Sequence, residues 1–302
     1  MTPPVVGLVG VGNWGQHILR DLRTLGARVH AVARHPPSVE RAARGGAESI
    51  VTRPEDLPSC DAFVIANRTI DHVDTVRRLL PRGRPIFVEK PLSPAPDEIR
   101  GLDSSAAGLV FVMHKWRYHP GIQELARIAR SEEFGPVRGL RTFRLGGDVP
   151  HEDVNAIWVL LPHDLSIALE ILGEVPAPVA AFRDPLTPCG GGLIARLVAH
   201  GQGVDVVIEV SSGHLRSHRA VVLACRDAVS ELRGENHELI EIRRRDASRG
   251  EPPIRRSVPA DLPLYEELRA FLDFVAGGPP PKTSFAEELR IIKSIETLQA
   301  FL

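Results

Sequence analysis

Short apolar runs recur through the first part of the chain, each followed by a polar turn and then by residues at helical spacing. Val5-Val6-Gly7-Leu8-Val9 reads as a buried strand, and Ile18, Leu19, Leu22 and Leu25 then share one face of a helix over residues 14–25. The rhythm repeats with a strand at 28–33, a helix at 38–44, a short strand at 49–51, a strand at 62–66 and a helix at 71–80. It continues with the buried strand that opens at Ile86 and that Pro91 ends, a helix at 94–104 begun by Ser93, and a strand at 109–113. Strands alternating with helices build a parallel sheet covered on both faces.

After a helix at 121–130 the pattern changes. Alternating or apolar stretches at 137–145, 179–182, 192–200, 204–210, 219–225 and 239–244 follow one another as strands, with a hairpin signal at His200-Gly201-Gln202-Gly203. Strands in succession without intervening helices imply an antiparallel or mixed sheet. A helix opening in Ile157 to Ile167 runs to Leu172 and stops at Gly173, which places His163 near its start. An amphipathic helix at 264–275, a Pro-rich linker at 277–281 and a helix at 285–302 close the chain, and these terminal helices are expected to pack back on the first half. The reading is an α/β protein in two parts. Residues 1–117 form a doubly wound parallel sheet, and residues 118–302 form an α+β domain with a large, mostly antiparallel open sheet.

Composition narrows the class. The 302 residues are 43% hydrophobic and 25% charged, which is ordinary for a globular protein. A net charge of -1 provides no broad positive field for nucleic acid. The apolar run 157–162 is far short of the roughly 20 residues of a membrane span. The N-terminus has no basic, apolar leader, so a cytoplasmic location is expected. Cys60, Cys189 and Cys225 are odd in number and widely spaced, suggesting neither a disulfide framework nor a metal site. The run Arg243-Arg244-Arg245-Asp246 reads as a solvated face.

The first candidate chemistry lies after the first strand. Gly10-Val11-Gly12-Asn13-Trp14-Gly15 joins that strand to a helix, the setting in which Gly10 makes a tight turn, Gly12 admits a pyrophosphate and Gly15 lets helix and strand pack closely. The helix N-terminus adds N–H donors for phosphate. This is the start of a Rossmann dinucleotide-binding domain, with Asn13 and Trp14 inside the cofactor turn. The second strand ends in Arg34 where a ribose-binding acid is usual. A guanidinium suits a 2'-phosphate, so NADP(H) is favoured, with NAD(H) as the alternative. Asn67, on the loop beyond the strand at 62–66, sits where cofactor contacts form, whereas His72 in the next helix reads as structural. At Glu89-Lys90-Pro91 a lysine leaves a buried strand at the carboxyl edge, where ligands bind. Lys90 is thus the leading catalytic candidate, and Glu89 lies beside the cofactor.

The glycine turn, the Asn67 and His72 segment, and Glu89-Lys90-Pro91-Leu92 together resemble the Gfo/Idh/MocA oxidoreductases, named after glucose-fructose oxidoreductase and inositol dehydrogenase. The resemblance implies that Lys90 lies by the nicotinamide and the substrate. It extends to His114-Lys115-Trp116-Arg117-Tyr118-His119-Pro120, in which Arg117 and Tyr118 are candidate substrate contacts, each with packing as the alternative. It extends also to Pro162-His163-Asp164, where His163 matches a catalytic histidine. That signature places an aspartate four residues before the histidine, and Val159 stands there instead. Asp164, Asp148, Glu152 and Asp153 are candidate substitutes.

The implied function is NADP(H)-dependent hydride transfer between nicotinamide and a secondary alcohol or ketone of a sugar or nucleotide sugar. The implied assembly is a homodimer or homotetramer through the second sheet. Two alternatives stand. One is a non-catalytic dinucleotide-binding member of the family, which Val159 supports; the other is an NAD-dependent glycoside hydrolase.

Overall fold

A computed structural model of the chain describes residues 2–102, 106–146, 154–187, 191–201, 203–233, 239–259 and 262–302. They fall into two units, Met1–Lys115 with Leu262–Leu289, and Trp116–Asp261 with Arg290–Leu302. The first division falls at residue 115, and residues 262–289, expected in the second domain, group with the first unit. The return of residues 262–289 to the first unit has a simple cause, a helix whose apolar stripe completes that unit's core.

In the first unit β1 (Val5–Val9), β2 (Arg28–Val32), β3 (Ser49–Val51), β4 (Ala62–Ile65), β5 (Ile86–Glu89) and β6 (Val110–Met113) form one six-stranded sheet of order β3-β2-β1-β4-β5-β6. Every pairing is parallel. Helices α1 (Gly15–Thr24), α2 (Pro36–Arg44), α3 (His72–Leu79) and α4 (Pro96–Arg100) make the crossovers. β1, β4 and β6 are apolar throughout because helices cover both faces, while Arg28 and His30 of β2, Ser49 of β3 and Glu89 of β5 are less buried. On one face Ile18, Leu19 and Leu22 of α1 pack with Leu264, Leu268, Phe271 and Leu272 of α7 (Pro263–Val275). Phe271 stacks on Phe87 at 4.8 Å, and Phe274 meets Phe111 edge-on at 5.1 Å. The residues at 264, 268, 271 and 272 make one helical stripe, and burying it is what attaches this late segment to the first sheet.

Helix α4 is shorter than the pattern predicts. Ala95 occupies its N-cap, and Ser93 instead takes the Ala95 N–H at 2.9 Å while donating to Glu98 at 2.9 Å. Pro94 and Pro96 lack N–H groups, so the chain enters this helix later than apolar spacing suggests.

The second unit is built on an eight-stranded sheet of order β14-β13-β12-β11-β7-β10-β9-β8. Its strands are β7 (Val137–Leu145), β8 (Ala177–Arg183), β9 (Gly192–Ala199), β10 (Val204–Ser211), β11 (His218–Cys225), β12 (Ala228–Arg233), β13 (Leu239–Arg244) and β14 (Ile254–Ser257). Only the β7 and β10 pair is parallel. The sequence pattern does not single out β12 and β14. The first follows β11 closely, and the second is a short edge strand carrying Arg255 and Arg256. Helices α5 (Pro120–Ser131) and α6 (Ala156–Leu172) pack on this sheet, and the last helix, α8 (Phe285–Ala300), contributes its residues from Arg290 onward to this unit.

Candidate functional site

The carboxyl edge of the first sheet gathers the glycine turn, Arg34, Asn67 and Lys90. Gly10 has φ 95°, and a Cβ there would lie 2.6 Å from the Asn67 nitrogen, so a side chain is excluded on two counts. A Cβ on Gly15 would fall 2.1 Å from the Gly10 carbonyl oxygen, which fixes α1 close against the turn. Gly12 is different, because a Cβ on it would meet nothing within 4 Å. Its smallness therefore serves no contact within the chain and keeps open the space in front of the helix N-terminus, where a pyrophosphate would bind.

Asn67 adds a second mark of a ligand. Its Nδ2 donates to Thr75 Oγ1 at 2.9 Å, while its buried Oδ1 has no hydrogen-bond partner in the structure. A buried acceptor left open costs about 1–3 kcal/mol and is explained when a bound hydroxyl or amide supplies the donor. These residues fit a dinucleotide. Asn13 Oδ1 is held by Arg41 Nη2 at 2.9 Å, and Arg34 stands exposed just past β2 with its Nε donating to the Thr52 carbonyl at 2.9 Å.

Around Lys90 the main chain is gripped from several sides. One oxygen of Glu89 accepts the Lys90 N–H at 3.1 Å, and the other accepts the indole N–H of Trp14. Trp14, in the glycine turn, also carries Lys115 Nζ 4.3 Å from its ring centroid. The Lys90–Pro91 peptide is cis, and the Pro91 carbonyl lies 2.9 Å from His72 Nδ1. The Leu92 N–H donates to Glu288 Oε1 at 3.2 Å, and Glu288 Oε2 lies 2.7 Å from His114 Nε2, both side chains being fully buried. The side chain of Lys90 is half-buried at the strand exit. No local pattern in the sequence marks the pairing of Glu288 with His114 and Leu92. Glu288 lies 196 positions from Leu92, so no local spacing links the two.

In the second unit His163 lies within α6, not at its start. Asn155 caps that helix by accepting the Trp158 N–H at 3.2 Å, and Pro162 is accommodated inside it. The apolar residues before Pro162 already belong to the helix, which places His163 in its middle. Val159 precedes His163 by one turn and is 7% exposed. Asp164 is committed elsewhere: its Oδ2 accepts Arg144 Nε at 2.6 Å, with the Arg144 guanidinium 4.9 Å from the Trp116 ring centroid. Arg117 is likewise buried and donates to Glu170 Oε2 at 3.1 Å, while Gln123 holds the other Glu170 oxygen at 2.9 Å. Its packing role is therefore visible. Tyr118 is half-buried on the helical turn Lys115–Tyr118.

Asp148, Glu152, Asp153 and Cys189 lie outside the described residues. Burial pushes the Cys60 thiol up to about 11, which makes it a poor nucleophile. Within the arginine run, Arg244 pairs with Asp246 at 3.0 Å, as expected of a solvated face. Among the described residues there is no cluster able to hold a metal ion and no helix long and apolar enough to cross a membrane.

The sheet order and glycine turn define a Rossmann-type dinucleotide-binding fold in the first unit. The family described as an oxidoreductase family with an NAD-binding Rossmann fold matches residues 5–110. The matched residues lie within the first unit, and over them the chain is similar to the Gfo/Idh/MocA oxidoreductases. It is 27% identical to inositol 2-dehydrogenase 2 of Saccharopolyspora erythraea over 234 residues, covering 69% of this chain and 67% of the relative. It is 28% identical to UDP-N-acetylglucosamine 3-dehydrogenase of Acidithiobacillus ferrooxidans over 186 residues, covering 58% of this chain and 56% of that relative. A solved structure of the latter protein superposes with a TM-score of 0.84 at 21% identity, covering 100% of this chain and 98% of the other, a likeness of fold.

Proposed function

We propose that this protein is an NADP(H)-dependent oxidoreductase that moves hydride between nicotinamide and a secondary alcohol or ketone of a sugar or nucleotide-sugar-like substrate. The observation that carries the reading is the placement of Lys90 at the exit of β5, its backbone N–H held by Glu89, which also binds Trp14 of the glycine turn. The two dehydrogenase relatives, acting on inositol and on UDP-N-acetylglucosamine, support the polyol or sugar class. A bound nicotinamide would supply or accept the hydride. Lys90 Nζ binds the substrate oxygen and donates or accepts its proton. An amine of ordinary pKa ~10 is a weak base at neutral pH, so Lys90 works best where neighbouring cations and burial lower it towards ~7 to 8. Arg34 binds the 2'-phosphate that distinguishes NADP(H). The second sheet, with its half-buried outer positions, pairs subunits in a dimer or tetramer.

The test is NADPH oxidation against a panel of keto-sugars and keto-nucleotide sugars, with Lys90→Met as the control. Activity in the wild type and none in the variant is the expected outcome. A variant that turns over as fast as the wild type sinks the role of Lys90. Val159, standing where the family signature places an aspartate, favours a second reading: a non-catalytic dinucleotide-binding protein. Tight NADPH binding with no oxidation across the panel is its signature.

A further inference from the structure

His72 is 1% exposed, stands at the first residue of α3, and has no part in the reaction as proposed above. Its two ring nitrogens face two carbonyl oxygens. Nδ1 lies 2.9 Å from the oxygen of Pro91, and Nε2 lies 3.2 Å from that of Asn67. A carbonyl oxygen only accepts, so both contacts are hydrogen bonds only when both nitrogens carry protons. In a neutral ring one nitrogen would present its lone pair to a carbonyl oxygen in a buried site. We infer that His72 is held as an imidazolium, a buried cation that ties the Asn67 loop to Pro91 and so positions Lys90.

Burial and the positive end of α3 both disfavour a charge here. Two features act the other way. Both hydrogen bonds are charge-assisted when the ring is protonated, which roughly doubles their strength. Two carboxylates also grip the peptide groups on either side of Pro91, Glu89 at the Lys90 N–H and Glu288 at the Leu92 N–H, with His114 against Glu288. The other charges around α3 are engaged: Asp71 by Arg68, Asp74 and Glu55 by Arg78, and Arg77 with the Glu98 carbonyl. A fixed cation bonded to the residue after Lys90 lowers the ammonium pKa of that lysine, the condition that general-base work at neutral pH requires. This effect on Lys90 gains its catalytic meaning from the function proposed above, whereas the protonation of His72 stands apart from it.

Two measurements on the full chain test the inference without a known substrate. In protein labelled with 15N-histidine, ring-nitrogen spectra at pH 7.5 should show both nitrogens of His72 at protonated positions, assigned by their loss in His72→Gln. A lone-pair shift on either nitrogen overturns the inference. The second measurement follows acetylation of Lys90 against pH by peptide mass spectrometry in wild type and His72→Gln, with His72→Asn if the first variant does not fold. Glutamine retains one N–H for Pro91 but carries no charge. The Lys90 profile should move to higher pH in the variant, slowing acetylation at neutral pH by about tenfold for each pKa unit gained. A profile that does not move overturns the electrostatic role of His72, since a purely structural tether would leave it in place. Failure of the Lys90 reading itself appears elsewhere, as turnover that survives Lys90→Met.

Discussion

The carboxyl edge of the first sheet and the α6 region of the second unit treat polar groups in opposite ways. The first sets capacity left open beside one closed pair, Glu288 with His114: Gly12 faces empty space, Asn67 Oδ1 is buried without a partner, and Arg34 is exposed. At the second, charges are closed upon one another, Arg144 with Asp164 and Arg117 with Glu170, all less than a tenth exposed. An open, buried acceptor costs stability unless something binds there, whereas a closed pair costs most when one partner is removed. The contrast assigns ligand binding to the first region and scaffolding to much of the second, even though both carry residues that family resemblance marks as chemical.

If that contrast is right, the largest effect belongs to Lys90. Lys90→Met should lower kcat/KM for a keto-sugar by ~10²–10⁴, the usual worth of a positioned acid or base, while NADPH affinity measured by fluorescence changes little. Comparable losses in both quantities would mean that Lys90 mainly holds the cofactor.

Next comes the closed pair. Asp164→Ala leaves the Arg144 guanidinium buried without its carboxylate and should destabilise the protein by ~3–5 kcal/mol in denaturant titrations. If the variant instead stays as stable as the wild type and loses turnover, Asp164 belongs with the chemistry and the contrast fails at this point.

A smaller effect tests the open edge. Arg34→Ser should weaken NADPH binding by ~10-fold, the low end of what a charge-assisted hydrogen bond contributes at an exposed site, and leave NADH binding nearly unchanged. Equal weakening of both cofactors would remove the 2'-phosphate from the argument.

What the sequence discloses follows the same division. The parallel sheet, the glycine turn and the place of Lys90 are legible because each depends on residues within a few positions: apolar runs, a strand-to-helix turn, a lysine before proline. The grip on Leu92 by Glu288 is not, because it joins residues 196 positions apart. The return of α7 to the first core is expected and is met by Leu264, Leu268, Phe271 and Leu272, whereas residues 290–302 of the last helix fall in the second unit, since periodicity states that a face is buried and not against what. His163 is legible as a chemical candidate, whereas its place in the middle of α6 is not, because the helix begins at Ala156 and accommodates Pro162 inside it. Asp164 illustrates the remaining gap: its neighbour in sequence is His163, and its partner in space is Arg144 from another element.

The smallest effect concerns pH and lies on the rim of the second unit. The Arg256 guanidinium hydrogen-bonded to Glu133, with Arg127 beside it, holds the Glu133 carboxyl down to about 2 from an ordinary 4.5. A carboxylate whose pKa is lower in the folded state contributes stability above its unfolded pKa, and that contribution is lost as pH falls from 4.5 through about 2. Its size is limited because the pair is partly solvated, with side chains 26% and 28% exposed, and water and salt screen it. Glu133→Gln should therefore lower stability by under ~1 kcal/mol at pH 7, and the gap between variant and wild type should close as the pH approaches 2. A gap that persists undiminished at that pH would show that Glu133 acts through packing, and closed pairs would then no longer explain how this unit handles its charges.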